Sequence, residues 1–310
     1  MKQKIILDCD PGHDDAIAIL LAGKHPDIDL LAITTVAGNQ SLDKTTLNAL
    51  KVCSLAGLHH IPIARGMAGP LVREAKHAAD IHGESGLDGP NIPTPTIEPV
   101  SQHAVDLIID LLLKSDSDIV LVPTGPLTNI ATAIQRQPAI VPKIKAISLM
   151  GGAIGLGNIT PSAEFNIYFD PEAADIVFRS GCPITMIPLE VTHQALATSE
   201  IIQRLRDAQR TVATLAADLL VFFVESYYNV FGFDAPPVHD PCAVAAVFDP
   251  TIVKTYPMYV QVETQSELTV GRTVCDVYKT QGKDANVNVG YALDVERFWD
   301  VLIATLMAYS

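Results

Sequence analysis

Apolar positions along this chain form short continuous runs that trade places with longer helical periods. Ile5-Ile6-Leu7 is one such run, and a second apolar stretch spans Ala16 to Ala22. Pro11-Gly12 lies between them, so the pattern predicts a buried strand, a turn and a helix. Leu30 to Val36 predicts a second buried strand, and Ser41 stands where it can cap a helix reaching about Ala56. A short apolar stretch, Ile61 to Ala64, follows. Residues 65–100 then carry many Gly, Pro and His and no sustained period, which predicts a long loop, functional or disordered.

Alternation resumes afterwards. Ser101 opens a predicted helix to about Lys114, Ile119 to Pro123 reads as a strand, and residues 124–129 turn into a helix over Ile130 to Gln135. Ile144 to Met150 is a further strand, followed by an irregular segment over 151–169. Asp170-Pro171-Glu172 is a helix start, with a cap, a proline in the first turn and an acid beside it; that helix ends near Gly181. Pro183 to Leu189 predicts a strand, residues 199–229 two helical pieces, 257–264 and 268–277 two β-like stretches, and Asp294 to Tyr309 a last helix. No repeat or linker interrupts the series. The predicted fold is therefore α/β, one domain over residues 1–310, with a mostly parallel central sheet flanked by helices. Such sheets hold ligands at the carboxyl ends of their strands, here Asp10, Asn39, Thr124, Gly151 and Glu190.

The net charge of -14 excludes nucleic acid and anionic membrane as natural partners, since both need clustered Lys and Arg. No apolar run is long enough to span a bilayer, and the three apolar residues before Asp8 are too few for a signal-peptide core. The five cysteines are dispersed, with no C-x-x-C pair, which suits a reducing cytoplasm and offers no zinc or disulfide framework.

Chemistry concentrates in Asp8-Cys9-Asp10-Pro11-Gly12-His13-Asp14-Asp15, four carboxylates in eight residues. Asp beside a Pro-Gly turn and at a helix start is an ordinary structural choice. Four together at one strand end repel one another unless a cation is bound, and oxygen-only donors predict Ca²⁺ or Mg²⁺. Two further groups stand out: His239-Asp240 after an aromatic-rich segment, and Asn158 with Glu164-Phe165-Asn166, suited either to bonding loop backbone or to gripping sugar hydroxyls. Gly151-Gly152-Ala153-Ile154-Gly155-Leu156-Gly157 has the wrong glycine order for a dinucleotide site.

These motifs resemble those of the nucleoside hydrolases, both the inosine-uridine-preferring and the pyrimidine-preferring kinds. The acidic string, Val36-Ala37-Gly38-Asn39, His82-Gly83-Glu84, Thr124-Gly125-Pro126-Leu127-Thr128-Asn129, Glu164-Phe165-Asn166 and Val238-His239-Asp240-Pro241 occur in that family's order across essentially the whole chain. The resemblance implies Ca²⁺-dependent hydrolysis of purine and pyrimidine ribonucleosides to ribose and free base, by a cytoplasmic homo-oligomer, a tetramer or dimer. It implies Asp10, Asp15, Asp240 and the Thr124 carbonyl as metal ligands. Asp14, Asn39, Asn158, Glu164 and Asn166 would position ribose. Asp10 would take the proton of the metal-bound water and, with His239 and Asn39, make up the catalytic set; His82 would lie near the base, and His239 would be the acid for the departing base. Phe223, Tyr227 and Phe231 would border the base. Glu190 departs from the family, where Asp is commoner, and the segment from Phe223 to Phe233 matches neither specificity pattern cleanly. Two rivals remain open at this point: a D-x-D phosphohydrolase, against which Pro11-Gly12 counts, and a nucleoside-binding protein without turnover.

Overall fold

In the computed structural model, which describes residues 2–309, an eight-stranded sheet runs through the chain. Its strands are β1 (Gln3–Cys9), β2 (Ile28–Thr35), β3 (Ile63–Arg65), β4 (Ile119–Pro123), β5 (Ile144–Met150), β6 (Ile184–Ile187), β7 (Val253–Met258) and β10 (Val287–Leu293). The order is β3-β2-β1-β4-β5-β6-β10-β7, and β8 (Val260–Val262) pairs with β9 (Thr273–Cys275) in a separate hairpin. All neighbours in the large sheet are parallel except β7, which runs antiparallel to β10.

Strand β1 shows why the sheet needs helices on both faces. Ile5, Leu7 and Cys9 point into one core, and Ile6 into the other. The first core is covered chiefly by the helices His13–Lys24, Thr211–Phe231 and Val295–Met307, the second by Ala104–Lys114, Thr128–Arg136 and Pro171–Phe178. The helix His13–Lys24 is buried from His13 to Ala22, which explains the continuous apolar run from Ala16 to Ala22 after its first turn. The helix Thr211–Phe231 has the length and apolarity of a membrane span, yet it buries Leu219, Leu220 and Phe223 in the core.

Several local expectations are corrected. Ser41 occupies the N-cap position of Leu42–Leu55 but makes no side-chain cap bond. The helix expected from Ser101 begins at Ala104, where His103 Nδ1 accepts from the N–H of Val105. The β-like stretches at 257–264 and 268–277 shrink to β7, β8 and β9, and β10 was not anticipated at all. Glu190 lies in a one-turn helix, Leu189–Thr192, rather than at a strand end. Asp170 does cap its helix, accepting from the Ala173 N–H at 3.0 Å.

The order 3-2-1-4-5-6 reverses direction between β1 and β4. At such a switch point the loops leaving adjacent strands part and open a crevice. Asp10 and Thr124 are the residues that leave those two strands.

Candidate active site

Asp10 follows β1 directly and is wholly buried. Its Oδ2 accepts the backbone N–H of Asn39 at 2.6 Å, just beyond β2. Gly38 and Gly125 press on the same carboxylate from either side; a Cβ on either would collide with it. Gly in Val36-Ala37-Gly38-Asn39 and Thr124-Gly125 is therefore required by close approach. Asp10 Oδ1 is buried without a hydrogen-bond partner among the described residues.

Asp14 and Asp15 occupy the first turn of the helix His13–Lys24. Asp15 Oδ2 accepts from the N–H of Gly12 at 3.1 Å and from Asn39 Nδ2 at 3.2 Å, and its Oδ1 accepts from Thr124 Oγ1 at 2.9 Å. Asp240 begins the helix Asp240–Phe248, with His239 at the N-cap position. Its preceding N–H, that of His239, donates to Asp14 Oδ2 at 3.2 Å. Oxygens of Asp14, Asp15 and Asp240 lie within 4.8 Å of one another. This trio differs in one member from the ligand set the resemblance implies, which has Asp10 in place of Asp14.

Four carboxylates are thus buried together, and among the described residues no Lys or Arg forms an ion pair with any of them. Burial and mutual repulsion push Asp10 and Asp240 well above the ordinary carboxylate range and Asp14 to about 7, and burial raises Asp15. A divalent cation would relieve that repulsion. The donor set fits one: carboxylate oxygens, an unbonded Asp10 Oδ1, and the Thr124 carbonyl, which accepts from Asn166 Nδ2 at 2.8 Å and keeps a second lone pair.

Asp8 stands apart. Its Oδ1 accepts from Thr34 Oγ1 at 2.5 Å and from Asn129 Nδ2 at 2.7 Å, so it ties β1 to β2 and to the helix Thr128–Arg136. Burial raises it to about 7.

A pocket opens over the acidic group. Asp14, Asn39, Thr124, Asn158, Glu164, Asn166 and Asp240 line it together with His82, Phe223, Tyr227, Phe231 and His239. The structure therefore brings every candidate except the deeper Asp10 and Asp15 to the pocket wall. Glu164 caps the short helix Phe165–Phe169, accepting from the N–H groups of Gly152, Asn166 and Ile167, and burial still raises it to about 7. Asn158 Oδ1 accepts from the Phe165 N–H at 2.9 Å. Phe223, Tyr227 and Phe231 recur every four residues and so share one helix face. His82 arrives from the long loop, which is folded back by Gln40 Nε2 donating to the Gly83 carbonyl and Asn48 Nδ2 to the Ser85 carbonyl, each at 2.9 Å. Glu190 accepts from the Ile154 and Gly155 N–H groups and pins the 151–157 loop, outside this pocket.

His239 is held on both sides, by Tyr227 Oη at Nε2 and Thr192 Oγ1 at Nδ1, each 2.7 Å away. Burial, then His193 nearby, holds its pKa well below the usual histidine value, so it is neutral rather than a charged acid. His13 and Thr192 had not been singled out. His13 lies inside the acidic motif itself, stacked between Phe222 and Phe223; Thr192 carries no sequence signal.

The family model for inosine-uridine preferring nucleoside hydrolase matches residues 5–300. The pyrimidine-specific ribonucleoside hydrolase RihB of Escherichia coli K12 is 49% identical over 308 residues, covering 99% of this chain and 98% of that protein. Among solved structures, the purine-preferring ribonucleoside hydrolase from Gardnerella vaginalis superposes with a TM-score of 0.93 at 36% identity, over 99% of both chains. The plant nucleoside hydrolase PpNRh1 gives 0.93 at 31% identity, over 99% of this chain and 100% of that one. A buried acidic crevice at the strand switch and relatives matched end to end lead to one assignment: the chain belongs to the inosine-uridine preferring nucleoside hydrolase family and is a nucleoside-hydrolysing enzyme.

Proposed function

We propose that the enzyme is a Ca²⁺-dependent ribonucleoside hydrolase that cleaves the N-glycosidic bond of purine and pyrimidine ribonucleosides, inosine and uridine among them. The observation that carries this reading is the cluster of Asp10, Asp14, Asp15 and Asp240, buried with no ion-paired Lys or Arg among the described residues, at a pocket lined by both polar and aromatic side chains. Asp10, Asp15, Asp240 and the Thr124 carbonyl would hold the ion. Bound there, Ca²⁺ supplies the charge that lets these carboxylates ionise together and orients sugar hydroxyls beside the reacting carbon.

The chain's own groups do the rest. Asn39 N–H fixes Asp10 through Oδ2, and the carboxylate so held, which also offers Oδ1 to the ion, would take the proton of an attacking water. Asp14, Asn39, Asn158, Glu164 and Asn166 grip the ribose, and the carboxylates among them stabilise the positive charge that develops as the bond breaks. His82, Phe223, Tyr227 and Phe231 enclose the base. Tyr227 and His239, hydrogen-bonded to each other on the pocket wall, would pass the proton to the departing base.

A narrower reading, pyrimidine specificity, is favoured by the 49% identity to RihB, which bears that description. A panel of kcat/KM values for inosine, adenosine, uridine and cytidine, with Ca²⁺ and with chelator, tests both. Turnover of uridine and cytidine alone supports the narrower reading; release of phosphate from a sugar phosphate, with no nucleoside cleaved, would overturn both. A reducing cytoplasm suits the five unpaired cysteines. Assembly as a dimer or tetramer, as the family resemblance implies, is read directly by light scattering.

A further inference from the structure

His13 and His82 meet Nδ1 to Nδ1 at 3.3 Å beside the pocket. His13 Nε2 lies 2.8 Å from the Asp88 carbonyl, which only accepts, so Nε2 carries the proton of His13. The His13 ring is fully buried against Phe222 and Phe223 and bonds no carboxylate among the described residues, so it holds one proton and its Nδ1 is a bare acceptor. His82 Nδ1 therefore faces that acceptor at 3.3 Å and, also at 3.3 Å, a donor, the backbone N–H of His13. It can donate to the first or accept from the second. Burial keeps His82 neutral as well. No group among the described residues bonds its Nε2, and the ring lines the pocket.

The two neutral tautomers are thus served alike by the protein, and they differ in what Nε2 offers. With Nδ1 protonated, Nε2 accepts; with Nδ1 bare, Nε2–H donates. The ring itself need not move. Phe223 lies 5.4 Å from its centroid and His13 5.5 Å, and His13 is in turn stacked on Phe222 at 4.9 Å.

We propose that His82 reads the base at its 3,4-edge and takes whichever role, donor or acceptor, that edge requires. This rests on the ribonucleoside reading of the site. Uracil and cytosine are opposites there: O4 accepts where the N4 amine donates, and N3–H donates where bare N3 accepts. A histidine locked in one tautomer would set like against like for one of the two bases, leaving buried polar atoms unpaired. A histidine free to switch admits both.

The test uses the whole enzyme with ¹⁵N-labelled histidine. In the free wild type, the two ring nitrogens of His82 should give shifts averaged between the protonated and bare limits, or two slowly exchanging sets. A single fully populated tautomer overturns the proposal. His13→Phe keeps the stacked ring, removes the Nδ1 acceptor and leaves the backbone donor, so His82 should lock as Nε2–H. The ratio of kcat/KM for uridine to that for cytidine should then shift by about tenfold or more in one direction. An unchanged ratio overturns the edge assignment. Should neither nucleoside be cleaved by wild type, the ribonucleoside reading has failed; the wild-type spectrum still decides the tautomer claim, including where His13→Phe does not fold.

Discussion

Tyr227 Oη lies 2.7 Å from His239 Nε2, while Thr192 occupies the other ring nitrogen at the same distance. The imidazole is buried and neutral, so a proton for the leaving base must pass through a hydrogen-bonded pair rather than come from an imidazolium. Tyr227→Phe should lower kcat for inosine and uridine by about 10²-fold, within the range of a lost general acid. Turnover of p-nitrophenyl riboside, whose leaving group needs no proton, should change by less than about threefold. His239→Ala should follow the same pattern, and the double variant should lose little more than either alone. Equal losses on both substrate types would assign the pair to binding.

Asp10 is oriented by Asn39 N–H and squeezed between Gly38 and Gly125. The isosteric Asp10→Asn fits that slot and can still accept from Asn39. Turnover of every nucleoside should fall by about 10³-fold or more while the far-ultraviolet spectrum is unchanged. Near-normal activity would remove Asp10 from water activation.

Much of this was legible because it is local. The strand, Pro-Gly turn and helix from Ile5 to Ala22 carry their own periodicity, and the Asp170 cap its own signature. What was missed is long-range. In β10, Asn288, Gly290 and Tyr291 interrupt the apolar run, and the strand is stabilised by insertion between β6 and β7, which no local pattern encodes. His82 could be placed at the site only by resemblance, because the bonds that fold its loop back, from Gln40 and Asn48, span some forty residues. The neutrality of His239 follows from burial, which sequence spacing does not report. Thr192 was invisible for the same reason: its contact with His239 joins elements forty-seven residues apart.

The buried acids make stability depend on pH and on the ion. Asp14 and Glu164 are each raised to about 7, above the unfolded values near 4. Between those limits the native state binds more protons than the unfolded chain, so the ion-free protein should lose stability as pH rises from about 4 through 7. Ca²⁺ should reverse the loss at pH 8, adding about 2.7 kcal/mol at a hundred times its Kd. Urea midpoints at pH 5 and pH 8, with Ca²⁺ and with chelator, measure both effects. Equal midpoints with and without Ca²⁺ at pH 8 would argue against a bound ion.

Asp8 separates the cost of a buried charge from the needs of the ion. Its Oδ1 accepts two hydrogen bonds, from Thr34 and Asn129, but its Oδ2 is buried with no partner among the described residues. Desolvation outweighs those two bonds and raises the group to about 7. The sign follows as for Asp14: Asp8 costs little at pH 4, when it is protonated in the native state and only about half ionised in the unfolded chain, and costs most above pH 7, when the native state must hold the buried charge. Asn at this position keeps an oxygen for Thr34 and Asn129 and never ionises. Asp8→Asn should therefore stabilise the chelated enzyme at pH 8 by on the order of 2 kcal/mol, with little change at pH 4. The pH slope of the urea midpoint should flatten accordingly. If the variant is instead destabilised at both pH values, the fit and hydrogen bonds of the carboxyl group, not its buried charge, set what Asp8 contributes between β1, β2 and the helix that follows β4.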